Sequence, residues 1–160
     1  MERTITVGGK PFKIRASAGA LVIYKAQFGR EYTEDCTEIL DDESALTVGC
    51  RLLWAMARAV KEKLPTPDEW TAMFKAKELE KALVTSQKLF LLSLGESSDE
   101  SGEEFSSEAL IASAALCGMG MGELNALPLS MVLDTIEKYA EMRYGGDGEY
   151  VGAADFFGER

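Results

Sequence analysis

The hydrophobic pattern of this chain changes period after residue 16. Ile5, Val7, Phe12 and Ile14 alternate with polar positions around Gly8-Gly9, which predicts two short strands joined by a tight turn. Leu21, Tyr24 and Phe28 then recur at three- and four-residue spacing, so one helical face is apolar. Ser17 stands where the N-cap of that helix belongs, and Gly29 offers the left-handed C-cap that stops it. Glu31 to Glu43 is polar and acidic, anchored by Tyr32, Cys36, Ile39 and Leu40, and fits a short helix or an ordered loop equally well. The strongest helix is expected over Ser44 to Lys61, with a stripe of Leu46, Cys50, Leu53, Ala57 and Val60 widened by Leu52 and Met56. Trp54 lies off that stripe and so either broadens the core face or contacts another element.

Leu64-Pro65-Thr66-Pro67 ends this helix and opens the next. Thr66 reads as the N-cap, Pro67 as the first helical residue and Glu69 as a capping-box partner set one position early. Trp70, Met73 and Phe74 follow as a short apolar face. A further helix is expected from about Lys77 to Leu94, with Leu79, Leu83, Ser86, Phe90 and Leu94 in one band beside Leu89 and Leu92. Gly95 to Ser107 is acidic and rich in Ser and Gly, the composition of a solvated spacer. Beyond it, Leu110, Ala114 and Leu116 lie on a small-residue helix ending at Gly118. After the break at Pro128, Leu129, Val132, Leu133, Ile136, Tyr139 and Ala140 form a stripe that stops at Gly145-Gly146.

Charge sharpens the division. Residues 1–94 hold 14 Lys+Arg and 13 Asp+Glu, a net of +1, whereas residues 95–160 hold 3 and 14, a net of −11. Surfaces so different suggest two modules. The expected fold is mainly α: a helical domain opening on a β-hairpin (1–94), an acidic flexible linker (95–107), a short helical second module (108–144) and a C-terminal tail (145–160).

Little in the chain is arranged for chemistry. It has no histidine, which removes His-based triads and most transition-metal sites. Cys36, Cys50 and Cys117 are odd in number, far apart and without CxxC spacing, so a disulfide frame or zinc site is not expected. Gly8-Gly9-Lys10 is followed by Pro11 and a strand instead of the Ser/Thr and helix of a phosphate loop, and Gly118-Met-Gly-Met-Gly122 lacks the GxGxxG spacing. Asp41-Asp42-Glu43 and Glu103-Glu104 are adjacent carboxylates with no converging partner. The net charge of −10 argues against a nucleic-acid partner. No apolar run spans a bilayer, and MERTITVGG has no apolar signal core, so neither membrane insertion nor secretion is expected. The expectation is a protein that acts by binding, with no catalytic residue, cofactor or metal. Met119, Met121 and Met131 give the second module thioethers that fill a core or re-pack against different partners.

The segment from Phe12 to Glu31 resembles the start of phage tail assembly chaperones, especially those of tailed phages and prophages of Gram-positive hosts. Family members carry a strand pair, a segment like "F+ASA..P.LYR.KFGRD" and a helical body. Phe12, Ala16, Ser17, Ala18, Tyr24, Lys25, Phe28, Gly29 and Arg30 match it, while Gly19-Ala20 replaces the usual Thr-Pro and Glu31 the usual Asp. The stretch through "PTPDEWTAMF" is similar to the family's body. Residues 115–143 look like the downstream extension that many tailed phages attach by ribosomal frameshift. Leu124, Leu127, Val132, Leu133, Asp134, Ile136 and Tyr139 stand at matching positions, and Ala154-Asp155-Phe156-Phe157 resembles its ending.

That resemblance implies a non-catalytic chaperone in the host cell cytoplasm, absent from the mature virion. It would coat the tape measure protein with its N-terminal module and recruit major tail (tube) protein with its extension, self-association being a further contact it allows. A small prophage-derived adaptor binding one host protein through an amphipathic helix is the other reading. The candidate partner-binding residues are Tyr24, Phe28, Arg30 and Trp54 in the first module, and Met121, Leu124, Val132, Leu133, Ile136 and Tyr139 in the second.

Overall fold

A computed structural model of the chain describes residues 2–38, 45–94 and 106–144. The expectations for Ile39 and Leu40, for Gly95 to Phe105 and for the tail from Gly145 lie outside those residues, as do those for the side chains of Leu92 and Leu94. The described chain is mainly helical behind an N-terminal hairpin. In order it runs β1 (Glu2–Val7), β2 (Lys10–Arg15), α1 (Ala18–Phe28), α2 (Tyr32–Glu38), α3 (Ala45–Arg58), α4 (Pro67–Ala72), α5 (Ala76–Leu94), α6 (Ser107–Leu116), α7 (Met121–Ala126) and α8 (Leu129–Tyr144).

The hairpin is antiparallel, with Ile5 opposite Phe12 and Val7 opposite Lys10. Its turn needs positive φ at both central positions, which Gly8 (57°) and Gly9 (76°) supply without a Cβ penalty. Alternation puts Ile5, Val7 and Ile14 in the core, where β1 meets α5 and β2 meets α3. On the opposite face Glu2 pairs with Lys13 at 3.1 Å and with Arg15 at 2.6 Å.

α1 ends at Gly29, whose φ of 71° lets its N–H bond the Lys25 carbonyl. Ser17 precedes the helix in extended backbone but gives it no side-chain cap, and its buried Oγ has no hydrogen-bond partner among the described residues. The acidic stretch after Gly29 opens as helix α2. α3 buries Leu52, Leu53 and Met56 as its stripe predicts, and buries Trp54 as well, whose indole N–H donates to the Pro65 carbonyl at 2.9 Å. Trp54 thus fixes the turn after α3. At α4 the Thr66 hydroxyl accepts from the Glu69 N–H while the Glu69 carboxylate accepts from the Thr66 N–H. Glu69 is therefore at the third helical position, where a capping box requires it, and not one place early. Gly49 lets α5 approach α3 closely: a Cβ there would stand 2.5 Å from Leu83 Cδ2.

The charge division at Gly95 does not correspond to a division of the core. Leu110, Ala114, Leu124, Leu129 and Val132 join the same buried cluster as Leu21, Leu53 and Leu89. α6 and α7 pack on α1, and α8 on α5 and α6. Ser107, placed by composition in the linker, is the buried first residue of α6, capped by Ser106. The stripes also differ in detail, since Leu116 is 55% exposed and Ala140 is exposed.

Candidate functional site

The first four candidate residues converge at the junction of α1, α2 and α3. Tyr24 is fully buried, and its hydroxyl donates to the Asp35 carboxylate. Its ring centroid lies 4.8 Å from Phe28 and 5.5 Å from Tyr32. Phe28 in turn meets Trp54 edge-on at 6.0 Å and carries the Arg51 guanidinium 5.4 Å above its face. Arg30 Nε approaches Asp35 Oδ1 at 2.8 Å from a side chain still 44% exposed. Burial, then the bond to Asp35, raises the Tyr24 phenol far above its ordinary value, so Tyr24 is a neutral donor at any physiological pH. Within this cluster Tyr24 and Trp54 are interior, while Phe28 and Arg30 retain surface. Asp35, fully buried between Tyr24 and Arg30, was not singled out by sequence. In the sequence it is one of several acidic residues in a polar stretch, and only its distance from Tyr24 along a helix–turn–helix marks it.

The second set is divided by packing. Leu124 and Val132 are buried in the core, and so are not open to a partner in this conformation. Ile136 is half-buried against the core, and Tyr139 is half-buried with its hydroxyl accepting from Arg143 at 3.1 Å. Met121 is 43% exposed and Leu133 37%. The exposed apolar residues of this region extend beyond those expected: Ile111, Leu116, Met131 and Met142 are also open, Met142 at 87%. Met131 and Met142 are eleven residues apart, about three turns, and so share one face of α8.

Four contacts fasten this region to α1 and the chain flanking it, and none of their residues is among the candidate partner-binding positions. The Ala18 N–H, at the start of α1, donates to the Leu127 carbonyl at 2.9 Å. Arg15 donates to the Asn125 carbonyl at 3.0 Å. Gly19 lies so close to α7 that a Cβ would stand 2.8 Å from the Asn125 backbone nitrogen and 2.9 Å from its Cα. At the other end of α1, the Glu31 carboxylate accepts from the Ser107 hydroxyl at 2.6 Å and pairs with Lys25 at 3.0 Å. That bond to Glu31 raises the Lys25 pKa. Gly19 and Glu31 are positions where the chain departs from the chaperone pattern, and both are points at which α6 and α7 rest.

Within α7, Glu123 accepts from the Gly120 N–H at 2.9 Å, and backbone bonds lower its pKa; glycine has no side chain to return the bond. Gly118, with φ 77°, turns the chain between α6 and α7. Burial pushes the thiols of Cys36 and Cys50 up to about 12 and about 11, so both stay protonated at neutral pH. Among the described residues no three His, Cys, Asp or Glu side chains are grouped to hold a metal, and no helix is long and apolar enough to cross a membrane. No family model matches the chain, nor does any curated protein or any solved structure.

Proposed function

We propose that this chain is a tail assembly chaperone of a tailed phage or prophage that works by stoichiometric binding in the host cytoplasm. It holds the tape measure protein and brings tail tube subunits to it. The observation that carries this reading is the set of exposed Ile, Leu and Met side chains on α6, α7 and α8, with Met131 and Met142 on one face. Unbranched thioethers adapt to differing apolar surfaces, which suits a protein that must hold partners without fixing one geometry. The resemblance of residues 12–31 and 115–143 to the chaperone family supports the same reading.

Under this proposal the outward face of α8 receives tube subunits, and the open end of the aromatic cluster at Phe28 and Arg30 faces the tape measure protein. Because α8 is packed on α5 and α6, both surfaces belong to one body. Ile136 is a poor probe, since it also packs on the core; Met131 and Met142 are cleaner. With tape measure and tube proteins co-expressed, the chain should keep the tape measure protein soluble in proportion to its own amount. The Met131→Asp/Met142→Asp variant should recover at least fivefold less tube protein in the complex while holding the tape measure protein as before. Equal recovery of tube protein would remove α8 from the reading. Failure of the wild-type chain to solubilise the tape measure protein would refute it.

A further inference from the structure

The two edges of the hairpin are built differently. Val7 and Lys10 close a two-residue turn and are therefore a hydrogen-bonded pair. Antiparallel alternation then directs the backbone groups of Arg3, Ile5 and Val7 towards β2, and those of Glu2, Thr4 and Thr6 outward. The pairing of Thr6 with Pro11 agrees, because proline has no N–H to give. On β2 the outward residues are Pro11, Lys13 and Arg15: a missing donor followed by two long cations, the features that block strand addition. On β1 the central outward residues are Thr4 and Thr6, uncharged, β-branched and exposed. Among the described residues no backbone hydrogen bond from another element reaches Glu2–Val7.

Beside this unguarded edge runs an open groove of about 240 Å³ between β1 and α5. Arg3, Thr4 and Thr6 line one side, and Lys81, Ala82 and Thr85 the other. Its charged groups are both positive, Arg3 held in place by donation to the Thr85 carbonyl at 3.3 Å. Among the described residues no carboxylate lines it: Glu2 is turned to the opposite face by Lys13 and Arg15, and Glu78 accepts from the Lys75 N–H near the hairpin turn. Ala82 is small and buried, leaving room beside the strand for an incoming side chain.

We infer that the β1 edge is a second binding surface, which takes an extended acidic peptide as an added antiparallel or parallel strand. Thr4 and Thr6 would supply the main-chain hydrogen bonds, and Arg3 and Lys81 would select carboxylate side chains from the groove. The surface is distinct from the α8 face and does not depend on the role proposed above.

Fluorescence anisotropy of the full chain with labelled eight-residue peptides tests it, one alternating Val and Glu and the other Val and Lys. The Val/Glu peptide should bind saturably, at least tenfold more tightly than Val/Lys, and more weakly as salt is raised. Thr4→Pro removes one outward N–H without touching the pairing to β2 and should weaken binding at least tenfold. Arg3→Glu/Lys81→Glu should reverse the peptide preference, and it decides the matter should Thr4→Pro lose its native circular dichroism. Equal binding of both peptides, no binding of either, or indifference to the charge reversal would overturn the inference. So would a dimer that Thr4→Pro dissolves while neither peptide binds, which would assign the edge to a second copy of the chain.

Discussion

Cys36 and Cys50 are interior thiols whose ordinary value of 9.0 is raised by burial to about 12 and about 11. The unfolded chain releases these protons from about pH 9 upward, while the folded chain keeps them. Their contribution to stability is therefore whole below about pH 9 and is lost as pH climbs towards the folded values. Each thiol removes up to about 1.4 kcal/mol per pH unit across that window. Tyr24 acts with the same sign, beginning from its ordinary 10.0, because burial and Asp35 both favour the neutral phenol. Urea midpoints should accordingly fall steeply above about pH 9. The Cys36→Ala/Cys50→Ala variant should show a shallower fall between about pH 9 and 10, before the phenol contributes. A slope unchanged by the double substitution would mean that folding does not protect the thiols. Asp35 shows what the residue scale hides: in the sequence it is one carboxylate of an acidic stretch, yet its environment is set by Tyr24 and Arg30.

Elements whose signals are local were legible in the sequence. The hairpin follows from alternation around Gly8-Gly9, the end of α1 from Gly29, and the start of α4 from Thr66, Pro67 and Glu69. The start of α1 falls after Ser17 as the sequence indicates, but its capping was not legible, because Ser17 gives no side-chain cap and the Ala18 N–H donates to the Leu127 carbonyl. Nor was the burial of Val132 and Leu124, whose apolar stripe has the same spacing whether it meets a core or a partner. The approach of α7 to α1 turns on the missing Cβ at Gly19. Gly19→Val should lower stability by about 1–3 kcal/mol in chemical denaturation, through a clash with the Asn125 backbone that neither helix can relieve by a rotamer change. No loss would mean that α7 does not rest on Gly19. At the far end of α1, a double-mutant cycle of Glu31→Ala and Ser107→Ala should give a coupling of about 1–3 kcal/mol, as expected for a buried bond to a carboxylate. A coupling near zero would show α6 held by its apolar residues alone.

One buried cluster spanning Ile5 to Val132 predicts that the described parts unfold together. The full chain should melt in a single transition reported alike by near- and far-ultraviolet circular dichroism. The fragment 1–94, a folding unit by its charge and helix signals, lacks the Leu127 carbonyl at α1 and the apolar cover of Leu110, Ala114 and Leu124. It should melt at least about 10 °C lower. Equal melting temperatures would restore the division at Gly95. The bond from Ala18 to Leu127 also joins residues 109 positions apart, which sets a clock on synthesis. At about 5–20 residues per second, a ribosome needs roughly 5–20 s to travel from one to the other. For that interval, in every round of translation, α1 stands with its first turn uncapped and its α7-facing side bare to whatever else is being made nearby.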